Sequence, residues 1–344
     1  MKTVAAILVE QRKPLVIDEV EVPALGYGQV LVEIKNTRIC GSQIGEIDGV
    51  KGPDRFLPHL LGHEAAGMVL ETGPQVKHVK AGDKVVAHWR PGRGIDAGGS
   101  VYQWNGKRTN AGPITTFNQF CVLSENRLTT VPADTDLDIG SLLADTLTTG
   151  FGVINNDAKV KIGESVVIIG CGGIGLGVVL GAKLAGAYPI IAVDLHDHKL
   201  KKAAECGATH GINSAKEDFV EAVLRILDKA RPDVVVDGTG NPAVLEKAYP
   251  LTSDTGRCVI FGVMPSDRKM SLNTLPLHFG RVLTGSHGGS SLPAIEIPRY
   301  LRMMKAGGFD PKGFISHRFS LAQVNEGVAK MRSGEVIHCV IDSF

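Results

Sequence analysis

The stretch Val166 to Gly175, VVIIGCGGIG, decides how this chain is read, because it joins a buried strand to a helix able to hold a dinucleotide. Val166, Val167, Ile168 and Ile169 are apolar at every position, as a parallel strand covered on both faces must be. Gly170, Gly172 and Gly175 fill the three positions of G-x-G-x-x-G, where the chain turns tightly, admits a pyrophosphate to the backbone and packs a helix close to the strand. The pyrophosphate then rests on the helix N-terminus. A second apolar run, Pro189 to Val193, ends in Asp194, placed to accept hydrogen bonds from ribose hydroxyls and to repel a 2′-phosphate. NAD is therefore expected over NADP, with His196, His198 and Lys199 nearby keeping the second coenzyme open.

Around this motif the 344 residues exceed the usual size of one hydrophobic core, so two domains are expected. Up to about Pro132 short β-like runs alternate with Gly, Pro and Asp turns: Gln29 to Lys35, Ala65 to Leu70, Lys84 to Ala87 and Phe120 to Leu123. From about Thr149 the rhythm becomes strand, helix, strand, with helices at Lys199 to Glu205 and Glu217 to Lys229 and strands at Val234 to Val236 and Cys258 to Phe261. That rhythm predicts a doubly wound parallel sheet. After Val282 to Gly285 come helices at Pro298 to Lys305 and Leu321 to Met331, with strands at Phe314 to Phe319 and Val336 to Ile341, a pattern that returns to the first domain. The expected fold is α/β, with the dinucleotide domain inserted into a β-rich one.

A formal net charge of +1, from 37 basic and 36 acidic residues, gives no global field toward nucleic acid or a membrane surface. The N-terminal apolar run is broken early by Glu10, Arg12 and Lys13, so neither a signal peptide nor a span is read there and a cytoplasmic address is expected. Six dispersed cysteines with no C-x-x-C pair indicate neither a disulfide framework nor a four-cysteine zinc site.

Three residues stand out as candidate metal ligands. Cys40 lies in the turn Cys40-Gly41-Ser42-Gln43, and His63 lies immediately before the strand Ala65 to Leu70. A thiolate and a neutral imidazole suit zinc, although each alone is more often a buried apolar cysteine or a turn histidine. Asp145 is unusual in an apolar helix start unless it caps the helix or binds something. The segment Trp89 to Thr116 reads as one long irregular loop carrying Arg90, Arg93, Lys107 and Arg108 with Tyr102 and Trp104, which suits an anion-recognising lid or a subunit contact.

Taken in order, Cys40-Gly41-Ser42, Gly62-His63-Glu64-Ala65-Ala66-Gly67, Gly82-Asp83-Lys84-Val85, Asp145 to Gly150, the fingerprint with Asp194, and the tail Phe314 to Phe319 with Met331 to Glu335 resemble the zinc-dependent alcohol dehydrogenases of the medium-chain dehydrogenase/reductase superfamily, over essentially the whole length. The resemblance implies a GroES-like catalytic domain at 1–148 and 285–344 around a Rossmann domain at 149–284. It implies one catalytic zinc on Cys40, His63 and Asp145, with Glu64 behind the metal and a fourth position open to substrate. Ser42 then takes the alcohol proton and relays it through the coenzyme ribose, with His59 or Glu46 as the relay's end. Coenzyme contacts carried over are Thr149, Gly170, Gly172, Gly173, Ile174, Gly175, Asp194, Lys199 and Val263. His338 stands where close relatives keep an arginine near the pyrophosphate.

Two departures shape the expectation. Gln43 replaces the acidic residue that commonly orients the histidine ligand, and Trp89 to Thr116 lacks the four cysteines of a structural zinc lobe, so one metal is expected. The resemblance implies a homodimer or homotetramer and an alcohol, polyol or cyclitol substrate. The rival readings are a zinc-free reductase of activated double bonds and a non-catalytic dinucleotide-binding protein on the same scaffold.

Overall fold

The computed structural model describes residues 1–311 and 313–344. Among these, two compact units are found: Met1–Asp145 together with Leu292–Phe344, and Thr146–Ser291.

The second unit is built on six parallel strands in the order His210–Asn213, Ile190–Asp194, Val166–Ile169, Val234–Asp237, Arg257–Ile260, Val282–Gly285. Val166–Ile169 is central and buried at all four positions, which is why its sequence shows no polar alternation. The strand order reverses between Val166–Ile169 and Val234–Asp237, and a crevice at such a switch point is where doubly wound sheets bind ligands. Gly170 follows the central strand at once with φ of 94°, and Gly172 caps the helix Gly173–Leu184. A Cβ on Gly175 would collide with the Gly170 carbonyl oxygen, so the third glycine sets how closely the helix can approach the strand.

The first unit holds a closed barrel of Lys2–Leu8, Val16–Glu21, Val101–Trp104, Lys107–Asn110 and His59–Leu60, and a sheet running Leu128–Thr130, Lys84–His88, Glu64–Thr72, Gln29–Ile39, Cys339–Ser343, His317–Ser320 with Phe120–Ser124 also on Gln29–Ile39. The C-terminal strand pairs antiparallel with Gln29–Ile39, so the end of the chain completes the sheet begun near its start. Within the segment expected to be irregular, Val101–Trp104 and Lys107–Asn110 form a hairpin that closes the barrel, while the residues on either side of it carry no regular element. The loop before it is tied down by Glu125, whose carboxylate accepts the N–H groups of Lys77, His78 and Ile95.

Candidate active site

Sheet register brings the candidate ligands to one edge. In the antiparallel pair of Gln29–Ile39 and Glu64–Thr72, Thr37 faces Ala65, so the end of the first strand, running into Cys40, meets the start of the second, preceded by His63. Glu64 faces His88 in the next pair, which places Trp89 at the same edge. Gly62, at φ of 95°, makes the bend before His63, and a side chain there would strike Thr116. Thr37 Oγ1 donates to the Glu64 carbonyl at 2.9 Å and locks the two strand ends together. The residues after Cys40, expected as a turn, form the helix Gly41–Asp48 with Cys40 as its N-cap.

Asp145 arrives from the helix Leu137–Leu143, whose N-cap Asp136 accepts the N–H groups of Asp138 and Ile139. Asp138 in turn accepts Asn36 Nδ2 at 2.7 Å, anchoring that helix to the strand that ends at Cys40. One donor atom from each of Cys40, His63, Glu64 and Asp145 lies within 4.8 Å of all the others. His63 Nε2 is 3.7 Å from Asp145 Oδ2 and 3.9 Å from Glu64 Oε1. Tetrahedral zinc with bonds of about 2.0–2.3 Å separates its ligand atoms by about 3.3–3.7 Å, so thiolate, imidazole and carboxylate fit this ion after small rotamer adjustments.

The electrostatics favour a cation at this point. Burial alone would lower the basicity of His63, but Asp145, Cys40 and Glu64 outweigh it and hold its pKa well above the ordinary imidazole value. Burial pushes the Glu64 carboxyl up to about 7, against the pull of Arg38, whose Nη1 is 3.2 Å from Glu64 Oε2. Glu64 is fully buried, and neither of its carboxylate oxygens makes a hydrogen bond among the described residues. Such an anion needs a compensating charge, and the buried Arg38 guanidinium supplies it.

Several neighbours hold the cluster in place. Ser42 Oγ lies 3.5 Å from His63 Nδ1, and the Gln43 amide nitrogen also contacts that ring atom. Trp89 Nε1 donates to Asp145 Oδ1 at 2.9 Å, a contact that sequence reading missed; the only sign of it was a tryptophan following the strand Lys84–His88. Arg38 was missed as well: the structure buries it two residues before Cys40, and burial of an arginine leaves no mark in the sequence. His59 is paired with Asp54 at 2.7 Å through Nε2, while its Nδ1 lies 3.0 Å from the Leu60 carbonyl. The expectation for His338 is corrected. It is 1% exposed, bonded to Arg38 and stacked on Phe314, so it has no free face for a pyrophosphate and instead supports the arginine behind Glu64.

In the second unit the glycine loop and the acidic residue are directly joined. Asp194 Oδ2 accepts the Cys171 N–H at 2.8 Å and Oδ1 accepts the His196 N–H at 3.0 Å, so the carboxylate shapes the loop as well as the end of its own strand. Gly173 and Ile174 open the helix with N–H groups in the orphan positions that attract phosphate. Lys199 lies in the first turn of Asp197–Cys206, Thr149 is buried in Thr146–Gly152, and Val263 is exposed.

The family model described as alcohol dehydrogenase GroES-like domain matches residues 26–133, and the one described as zinc-binding dehydrogenase matches residues 173–306. The chain is 32% identical to an S-(hydroxymethyl)glutathione dehydrogenase of Paracoccus denitrificans, covering 99% of this chain and 100% of that protein. It is equally 32% identical to a class-3 alcohol dehydrogenase of Cereibacter sphaeroides, with 99% and 100% covered. A solved structure of an alcohol dehydrogenase zinc-binding domain protein from Burkholderia ambifaria superposes with a TM-score of 0.91 at 27% identity, covering 100% of this chain and 99% of that one. The chain belongs to the zinc-dependent alcohol dehydrogenase family of the medium-chain dehydrogenase/reductase superfamily. It is an oxidoreductase acting on an alcohol, with zinc and a nicotinamide dinucleotide as its cofactor classes.

Proposed function

We propose that this enzyme oxidises a secondary alcohol, polyol or cyclitol-like substrate with NAD, using a single zinc held by Cys40, His63 and Asp145 and no structural zinc. The convergence of those donors with Glu64 inside 4.8 Å carries the reading. Bound there, zinc supplies Lewis acidity toward the substrate oxygen, and NAD supplies the hydride acceptor. Ser42, beside His63, receives the alcohol proton, and His59 with Asp54 forms the outer end of the relay. Glu64 tunes the ligand set from behind. Gly170, Gly172, Gly173, Ile174 and Gly175 cradle the pyrophosphate, Asp194 and Lys199 take the adenosine ribose, and Thr149 and Val263 flank the nicotinamide side. The reading includes a catalytic domain at 1–148 and 285–344 with a coenzyme domain at 149–284.

A homodimer or homotetramer is supported by the edge strand Val282–Gly285, where Val282 is exposed, and by exposed Leu275 and Phe279 just before it. A cytoplasmic location accords with the apolar stretch Leu137–Asp157, long enough to cross a membrane but mostly buried inside the protein.

The test is metal analysis joined to an NAD-reduction screen over primary and secondary alcohols, polyols, cyclitols, phosphorylated sugars and S-(hydroxymethyl)glutathione, with a chelator control. About one zinc per chain and chelator-sensitive turnover of a secondary alcohol, polyol or cyclitol are expected. Metal-free reduction of activated double bonds, or NAD binding without turnover, would establish one of the rival readings instead.

A further inference from the structure

The turn between the strands Lys2–Leu8 and Val16–Glu21 closes the C-terminal end of the helix that begins after Cys40. The last turn of a helix leaves carbonyls without donors of its own. In Gly41–Asp48 the Glu46 carbonyl lies 3.5 Å from Gln11 Nε2, the Ile47 carbonyl accepts the Arg12 backbone N–H at 2.6 Å, and the Asp48 carbonyl accepts Arg12 Nε at 3.4 Å. Arg12 makes these bonds at φ of 64°, a left-handed conformation that a residue with a side chain adopts where its surroundings impose it. The same Gln11 amide also holds the loop that follows the helix. Nε2 donates to the Gly52 carbonyl at 3.1 Å, and Oε1 accepts the Asp54 N–H at 3.2 Å. Gly49, which ends the helix at φ of 71°, packs so near this amide that a Cβ there would lie 3.1 Å from Nε2.

These contacts join the two segments that carry the proton relay. Ser42 lies in the first turn of the helix, and Asp54 Oδ2, in the loop, is 2.7 Å from His59 Nε2. A carboxylate oxygen only accepts here, so Nε2 carries the proton of that bond and the ring's orientation follows Asp54. Asp54 Oδ1 accepts the Phe56 N–H at 2.8 Å, which decides the oxygen presented to His59. We propose that Gln11 is a positioning residue of the relay: one amide sets Asp54, and through it His59, relative to the helix that carries Ser42. The inference rests on the reading of His59 with Asp54 as the relay's outer end.

The experiment uses the full-length protein and its Gln11→Leu, His59→Asn and Gln11→Leu, His59→Asn double variants. Two readouts need neither metal nor coenzyme: residue-resolved exchange of the Asp54 amide, and the downfield, slowly exchanging proton of His59 Nε2, identified by its loss in His59→Asn. The third is the single-turnover rate of NAD reduction with the alcohol that turns over fastest in the screen described above. In Gln11→Leu the His59 signal is expected to be lost, the Asp54 amide to exchange faster, and the rate to fall about 10- to 100-fold. The double variant is expected to be no slower than His59→Asn, because Gln11 acts through that ring. Retention of the His59 signal in Gln11→Leu overturns the proposal whatever the rate, and so does a further, additive loss in the double variant. An Asp54 amide that exchanges in wild type as fast as an unprotected one overturns it without any variant. A His59→Asn protein as fast as wild type overturns the relay reading and this inference together, whereas a slow His59→Asn beside an unimpaired Gln11→Leu overturns this inference alone.

Discussion

Replacing Trp89 with phenylalanine removes one hydrogen-bond donor from the Cys40–His63–Asp145 cluster and keeps the ring's bulk. The indole Nε1 donates to Asp145 Oδ1 at 2.9 Å, while Oδ2 of the same carboxylate faces His63 Nε2 at 3.7 Å. The indole thus fixes which carboxylate oxygen is offered to a metal. A hydrogen bond to a charged group contributes about 1.5–3 kcal/mol. Trp89 is only half-buried, so water can partly replace the indole, and the lower figure applies. About 1.5 kcal/mol corresponds to about a tenfold rise in the zinc dissociation constant, within the range for other second-layer partners of metal ligands. Chelator competition measures this directly, and excess Zn²⁺ is expected to restore most of the lost turnover. The chain has two tryptophans, and Trp104 is held separately by Asp18 at 2.8 Å. Trp104→Phe therefore leaves Trp89 as the sole emitter, and its fluorescence should shift when zinc is withdrawn. Zinc retention in Trp89→Phe within about twofold of wild type would refute the reasoning, because the indole would then be packing rather than orienting.

Glu125→Ala leaves the Lys77, His78 and Ile95 N–H groups without their acceptor; water can reach the exposed Lys77 and His78, so each loss is expected near the low end, about 1 kcal/mol, lowering the urea midpoint by the equivalent of about 3 kcal/mol. Burial opposes ionisation of Glu125, but those three N–H groups prevail and hold its pKa below the ordinary glutamate value. Its contribution is thus present above about pH 4.3 and lost as pH falls below that, so Glu125→Gln should show a flatter decline in acid than wild type. Gly175→Ala drives a methyl into the Gly170 carbonyl, and loss of NADH binding, read by fluorescence transfer from protein to nicotinamide, is expected even where the protein stays folded. Arg38→Met leaves Glu64 buried without its cation and should cost about 3–5 kcal/mol, most of it recovered in the Arg38→Met, Glu64→Met double variant; additive losses in the denaturation cycle would show that the two residues do not act as a pair.

The dinucleotide half was legible because its signals are local. Four consecutive apolar residues, three glycines at fixed spacing and an acid at the next strand end need no distant partner to be recognised. The catalytic half was legible only through motif resemblance, since Cys40 and His63 meet by virtue of the Thr37 to Ala65 register and no spacing rule reveals that. Gly41 and Gly45 hide the helix Gly41–Asp48, as two poor helix formers in eight residues read as a turn. The hairpin inside Trp89 to Thr116 did have a signal. Asn105-Gly106, both at positive φ between two short β-like runs, is a strong two-residue hairpin turn that the basic residues around it obscured. His338 was misassigned because its partner Arg38 lies 300 residues away and an arginine in a strand announces nothing about which histidine it will meet.

Charge accounting across the cluster gives the most direct test of whether it is built for a dication. With Cys40 and His63 ligating a metal as thiolate and neutral imidazole, the Glu64 and Asp145 carboxylates and the Arg38 guanidinium would bring the site to two negative charges, which one divalent cation would cancel. Without the cation the site can recover only by taking up protons. That is why burial and Asp145 push Glu64 up to about 7 and why the surrounding anions raise His63. Both folded-state values lie above those of the unfolded chain, so the associated stability is present at low pH and is lost as pH rises through the folded values. Metal-stripped protein is therefore expected to lose stability between about pH 4.5 and 7 as Glu64 is forced to ionise, with further loss as His63 gives up its proton. Zinc-loaded protein should lack that decline, because the dication takes the place of those protons. Urea denaturation across this range, with and without chelator, measures the difference. Parallel curves would mean that the cluster's charges are already balanced by protein groups, and a carboxylate–histidine network without a metal would then explain the site as well as a zinc centre does.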